Sequence, residues 1–205
     1  DDQLKVLLVQ FLAASEGADA AVAELQAMVK ADPENYPIRE LLGAQLAVMG
    51  DIEGAEGVFK ETFEYDVNGA GSQSARNQLT TLARRQEDLV AARRWIDEAL
   101  EVEPENPQAL TNRATLNMLE GDYTQAIPDL RMALRADPEN IQALLLLADA
   151  QEKERSIELA LDNYRSVLAL KPENPVALYR SAAILAARQD YDQAAANVEK
   201  VLEQQ

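Results

Sequence analysis

Apolar positions in this chain return at a fixed long spacing. Six alanines, Ala21, Ala55, Ala92, Ala126, Ala160 and Ala194, recur at gaps of 34, 37, 34, 34 and 34 residues. A second series, Pro33, Pro104, Pro138 and Pro172, runs beside it; its last three members are 34 apart, and Glu-Asn follows every one. A period of this length belongs to units that cannot hide their apolar faces alone and do so by stacking on neighbours.

One period, residues 107–140, reads as two helices and two turns. Asn106 is placed to cap the first helix, and Pro107 at its first position forfeits only an N–H that has no intrahelical acceptor. Gly121 suits the left-handed residue that ends this helix, and Asp122 is placed to cap the second with Gln125 as its capping-box partner, an arrangement that Asp190 and Gln193 copy. Second helices are expected to stop at Asp32, Glu103, Asp137 and Lys171, because a residue before proline is pushed out of helical geometry. Ala114 and Ala126 are expected to let the two helices approach closely while Leu110, Leu130 and Leu134 fill the remaining volume. Pro128 falls inside a second helix, and Trp95 beside Ile96 is expected to pack.

Composition narrows the picture. Apolar residues make up 47% and aromatic residues 5% of the 205, which suits Ala/Leu-rich helical packing and not strands. The net charge of -17 disfavours nucleic acid, whose phosphates need a basic face. The longest apolar run, Leu4 to Ala14, carries Lys5 and Gln10 and falls short of the roughly 20 residues that span a bilayer, so direct membrane insertion by this segment is not expected. Cysteine and histidine are both absent, which removes disulfides, thiolate or imidazole metal sites and nucleophile–histidine catalysis. No cofactor, metal or enzymatic activity is expected. The chain opens at Asp1 directly in a helical pattern, as a fragment of a longer protein would; its alanine-rich acidic composition has a bacterial style, and its location stays open between cytoplasm and periplasm.

The pattern resembles the tetratricopeptide repeat, whose signature runs Trp-x2-Leu-Gly-x2-Tyr, Ala-x3-Phe and Pro. Arg39-x2-Leu42-Gly43-x2-Leu46, Gly50-Asp51 and Ala55-x3-Phe59 carry it best; Leu144-x2-Leu147-Ala148 with Ala160-x3-Tyr164 and Pro172 keeps the frame. The resemblance implies an all-α fold, a right-handed α-solenoid of about six hairpins and about twelve antiparallel helices, forming one array over 1–205. Its units are 2–35, 36–69, 73–106, 107–140, 141–174 and 175–205. A three-residue insertion, 70–72, accounts for the gap of 37 and reads as a longer loop, or as a hinge in the superhelical path.

The resemblance also implies a concave groove, lined by first helices, that holds a segment of another protein. The matching positions are Asn77, Thr81, Arg84 and Arg85, then Thr111, Asn112, Thr115 and Met118, then Asp149 and Glu152, then Tyr179, Arg180 and Ala183. Asn and Thr would pair with a peptide backbone and Arg84 with Arg85 would receive a carboxylate or phosphate; the alternative is that these side chains are solvated or paired with acids such as Glu87 and Asp88. The Lys and Asn that clamp chaperone tails in some relatives are replaced by Asn77 and Thr81, and by Thr111 and Thr115, so a chaperone-tail receptor is not expected.

The expected function is a non-enzymatic scaffold or adaptor binding a protein or peptide in that groove. The alternative is an oligomerisation or spacer segment of a larger envelope-associated or secreted bacterial protein, without a peptide ligand. The opening helix, apolar on more than one face, together with Val198, Val201 and Leu202 at the other end, makes a homo-oligomer through the terminal helices an open possibility.

Overall fold

The structure, a computed structural model, describes residues 2–202. Twelve helices and no strands are present among them: α1 Asp2–Ser15, α2 Ala18–Ala31, α3 Tyr36–Met49, α4 Ile52–Tyr65, α5 Ala70–Arg85, α6 Leu89–Val102, α7 Pro107–Leu119, α8 Tyr123–Ala136, α9 Ile141–Lys153, α10 Ile157–Leu170, α11 Pro175–Ala187 and α12 Tyr191–Leu202. The fold is an all-α helical repeat of the solenoid class. None of these helices is long and apolar enough to cross a membrane. The chain divides into two compact units, Asp1–Pro104 and Glu105–Gln205. Inside each, consecutive helices pack on one another, and first helices also meet directly, α1 with α3, α3 with α5, and α7 with α9.

Local chemistry explains the boundaries. The side chains of Asn35, Asp51, Asp88, Asn106, Asp122, Asn140 and Asn174 each accept the backbone N–H three residues on, at 2.9–3.1 Å. Each such cap contributes about 1 kcal/mol. The expected stops are found: Asp32, Glu103, Asp137 and Lys171 all leave the helix near φ -140 and ψ 85. The capping box is only half formed. Asp122 receives the Gln125 N–H, but its own N–H goes to the Asn117 carbonyl at 2.8 Å, so the Gln125 side chain has no role there.

Five residues make the tight corner between first and second helices with a left-handed backbone: Gly50, Glu87, Gly121, Arg155 and Gln189, at φ 60–87. The turn therefore recurs with the repeat even where glycine does not.

The insertion 70–72 is not a longer loop. Ala70, Gly71 and Ser72 form the first turn of α5. Asp66 has the same stop geometry as the residues before proline, although Val67 follows it. Its carboxylate accepts the N–H groups of Gly69 at 2.7 Å, Gly71 at 2.8 Å and Ser72 at 3.2 Å, and the Ser72 hydroxyl returns a bond to the Asp66 carbonyl. One anion thus serves several donors of a helix start, where the aligned peptide dipoles favour negative charge.

The alanine ladder is buried throughout, from Ala21 to Ala194. In the first unit Leu25, Ile38, Leu42, Phe59 and Leu79 join one core; in the second, Leu130 with Ala143, and Tyr164 with Ala177 and Ile184, mark the contacts between successive hairpins. Trp95 packs as expected, its ring 6.0 Å from that of Phe63, and α8 runs on through Pro128.

Candidate interaction surfaces

In the first unit the chemistry gathers on α5. Asn77, Thr81 and Arg84 are partly buried there, and Arg85 is exposed. The Thr81 hydroxyl donates to the Asn77 carbonyl at 3.0 Å. Glu40 on α3 accepts from Ser74 at 2.7 Å and from Gln78 at 2.7 Å, tying the two first helices together. Asp88 is committed to capping α6. Among the described residues neither Arg84 nor Arg85 has an acidic partner, and the buried Nε of Arg84 has no acceptor. Several other cations also lack a carboxylate, but Arg84 alone of these is partly buried with a buried donor that meets no acceptor.

In the second unit the predicted residues divide. Thr111 and Asn112 on α7 are buried, which takes both out of reach of an incoming chain. The Thr111 hydroxyl donates to the Pro107 carbonyl at 2.7 Å and the Thr115 hydroxyl to the Thr111 carbonyl at 2.8 Å. Hydroxyls in a helix interior commonly return their proton to the preceding turn, so these keep only lone pairs for a partner. Asn112 accepts weakly from Gln108 at 3.5 Å.

Asp149, Glu152 and Arg180 form a cluster that the structure assembles from predicted residues on separate helices. Arg180 Nη2 donates to Asp149 at 2.6 Å, its Nε lies 3.5 Å from Glu152, and the Tyr164 hydroxyl donates to Glu152 at 3.3 Å. Burial pushes the Tyr164 phenol up to about 12. Hydrogen bonds with Tyr164 and Asp149 hold the Arg180 guanidinium more firmly charged than usual. Tyr179 beside it stands well exposed, a free aromatic face at the edge of a polar cluster.

Three further arginines escape a reading that treats charge as surface. Arg39 is buried; it donates twice to the Pro33 carbonyl, at 3.1 and 3.3 Å, pairs with Glu61 at 3.1 Å and lies 4.8 Å from the Tyr65 ring centre. Arg76 is buried against the Phe63 ring at 5.0 Å, with Glu98 4.0 Å away. Arg113 grips Asp129 with two bonds, at 2.7 and 2.8 Å. A signal existed: Arg39 and Arg76 are 37 apart, as are Glu61 and Glu98, so the pairing travels with the repeat. Arg39 also forms part of the wall of an open cleft of about 420 Å³ between α2, α3 and α4, floored by Val29, Leu42 and Val58.

Stacked helical hairpins that carry polar clusters on their first helices define a helical repeat protein, one that works by presenting surfaces. The family model for the tetratricopeptide repeat matches residues 77–141 and 145–205, and the chain belongs to that family. Its members bind protein or peptide partners and are generally non-catalytic scaffolds. Solved structures agree on the fold. PilF of Pseudomonas aeruginosa superposes with a TM-score of 0.75 at 17% identity, covering 95% of this chain and 87% of that one. MamA of Desulfovibrio magneticus RS-1, from its residue 41 onward, gives 0.66 at 20% identity over 82% and 93%. YrrB, described as a TPR protein with an unusual peptide-binding site, gives 0.62 at 16% identity over 87% and 91%. At such identities the likeness speaks for the fold alone. A search of curated proteins found no match.

Proposed function

We propose that this chain is a protein-interaction scaffold whose first-helix faces hold a segment of a partner protein, with Arg84 and Arg85 receiving a carboxylate or phosphate of that segment. The buried Nε of Arg84, without an acceptor and beside an equally acid-free Arg85, is the observation that carries the reading. A cation poised beside the hydrogen-bonding groups of Asn77 and Thr81 has an unmet electrostatic need that a bound anion satisfies, and the hairpin stack orders it before binding, which lowers the entropy lost on association. In the second unit Asp149, Glu152, Thr115 and Tyr179 offer acceptors and an aromatic face to the same kind of extended segment. Thr111 and Asn112 leave the proposed surface because they are buried. The reading is supported by YrrB, a protein of the same fold described as having an unusual peptide-binding site.

The test is fluorescence anisotropy against a panel of acidic, phosphorylated and neutral peptides. Acidic or phosphorylated members should bind, and Arg84→Ala with Arg85→Ala should weaken them at least tenfold. Binding that survives the double substitution removes the assignment.

A second reading, self-association through the terminal helices, is favoured by one observation. Leu4, Leu7, Leu8 and Phe11 form an exposed stripe along α1, at the i, i+3, i+4, i+7 spacing of a packing face.

A further inference from the structure

The open cleft among α2, α3 and α4 has a filled counterpart one repeat further along the chain. Moving each of its residues on by one repeat turns Val29 into Phe63, Arg39 into Arg76, Leu42 into Leu79, Val58 into Trp95 and Glu61 into Glu98. Among α4, α5 and α6 the Phe63 and Trp95 rings lie 6.0 Å apart, the Arg76 guanidinium is 5.0 Å from the Phe63 ring centre, and the Arg94 guanidinium lies over Trp95 at 4.4 Å. In the cleft, valines stand where those two rings do. The residue matching Arg94 is Gly57, where an added β-carbon would meet nothing within 4 Å.

Side-chain size therefore opens the space. Both α2 and α4 have a neighbouring helix on either side, so the cleft is not the product of an array end. Its volume of about 420 Å³ lies within the roughly 300–1,000 Å³ common to ligand sites. The wall keeps an arginine against a ring: the buried Arg39 guanidinium lies 4.8 Å from the ring centre of half-exposed Tyr65. Such a cationic and aromatic surface favours a planar ring over an aliphatic chain. Lys30 stands exposed on the rim, and among the described residues no carboxylate pairs with it.

We propose that this cleft receives the tryptophan or phenylalanine side chain of a partner protein segment, with an acidic residue of that segment beside it for Lys30. The aromatic choice follows from the chain's own solution one repeat on, where rings fill the equivalent space next to an arginine. The source follows from the shape: the cleft opens to solvent, so a ring can enter while the backbone that carries it runs outside. The acid follows from charge complementarity with Lys30, a cation where the next repeat has Glu64. The site shares no residue with the first-helix surface of Arg84 and Arg85 and stands whether or not those two bind an anion.

Amide chemical-shift titration of the full chain tests this with a capped pentapeptide, Ser-Asp-Trp-Gly-Ser, and with versions carrying Leu for Trp or Asn for Asp. The Trp peptide should shift the Val29, Val58 and Tyr65 amides saturably. The Leu version should bind at least about fivefold more weakly, for want of ring and cation–π contacts. The Asn version should bind about twofold more weakly, a difference that Lys30→Gln removes. Val58→Trp puts the chain's own ring into the space and should abolish binding; Gly57→Arg, made where there is open room, should weaken it and serves if Val58→Trp does not fold. Equal affinity for the Trp and Leu peptides, shifts centred elsewhere, no shift at millimolar peptide, or binding that persists in both variants overturns the proposal. N-acetyltryptophanamide that binds in the cleft when the pentapeptide does not makes it a small-molecule site and overturns docking. An acid preference that survives Lys30→Gln overturns the role of Lys30. Arg84→Ala with Arg85→Ala should leave the titration unchanged, which separates this test from that of the first-helix surface.

Discussion

Gly43 lies against the ring of Phe59, so close that a β-carbon there would come within 2.5 Å of two ring carbons. Phe59 is buried in the core of the first unit. The close crossing of α3 and α4 thus depends on a missing side chain. Gly43→Ala gains about 1 kcal/mol of helix propensity against an overpacking cost of about 1–3 kcal/mol. The net result should be a loss of about 1 kcal/mol, read as a lower urea midpoint; an unchanged or raised midpoint means the ring yields.

Ala126 is a small residue at a helix crossing of the second unit, fully buried in a cluster with Ala114 and Leu130. Ala126→Leu should cost about 1–3 kcal/mol, seen as a lower thermal midpoint.

Arg39 and Glu61 should respond unequally. The guanidinium is buried with two bonds to the Pro33 carbonyl and an aromatic ring beneath it, while Glu61 is largely exposed. Arg39→Ala loses packing and charge-assisted bonds together, about 2 kcal/mol or more. Glu61→Gln removes only the solvent-screened part of the pair and should cost less than about 1 kcal/mol. Equal losses in denaturant titrations of the two variants contradict this division.

The corners carry removable strain. Arg155 and Gln189 hold left-handed backbones at φ 60 and 65, a conformation that costs a side-chain-bearing residue about 1–2 kcal/mol. Glycine relieves it but gives back about 0.4–1 kcal/mol through a freer unfolded chain. Arg155→Gly should therefore stabilise by about 0.5 kcal/mol, whereas Gly121→Ala, at φ 83, should destabilise by about 1 kcal/mol. Melting curves of the two should shift in opposite directions.

Tyr164 makes stability depend on alkaline pH. Its folded value, about 12, lies above the ordinary 10.0, so the unfolded chain loses this proton first. The stabilisation is complete below pH 10.0 and declines as pH rises toward 12. Tyr164→Phe cannot lose that proton, so the gap in melting temperature between native and variant proteins should shift in favour of the variant across that window. A constant gap contradicts the assignment.

Much of the fold was legible because its determinants are local or periodic. Asn106 and Asp122 cap their helices with their own side chains, and residues before proline stop helices by sterics, so neither depends on distant structure. The helical start at 70–72 is not legible in the sequence because it depends on Asp66 reaching ahead to Gly71 and Ser72, a contact no turn signal announces. Repeat position puts Thr111 and Asn112 on the groove, but exposure is set by whatever covers a position, which the repeat frame does not specify.

From order along the chain alone came the helical repeat, its hairpin boundaries, its alanine crossings and the lack of cysteine and histidine chemistry, since spacing and inventory are properties of the chain itself. Tertiary structure decided which charges are buried and which are spare: Arg39 and Arg76 disappear into the core, Arg180 is consumed by Asp149 and Glu152, and Arg84 and Arg85 remain without acids. The physical reason is that a charge takes its energy from the water and partners around it in three dimensions, and a repeat period fixes neither.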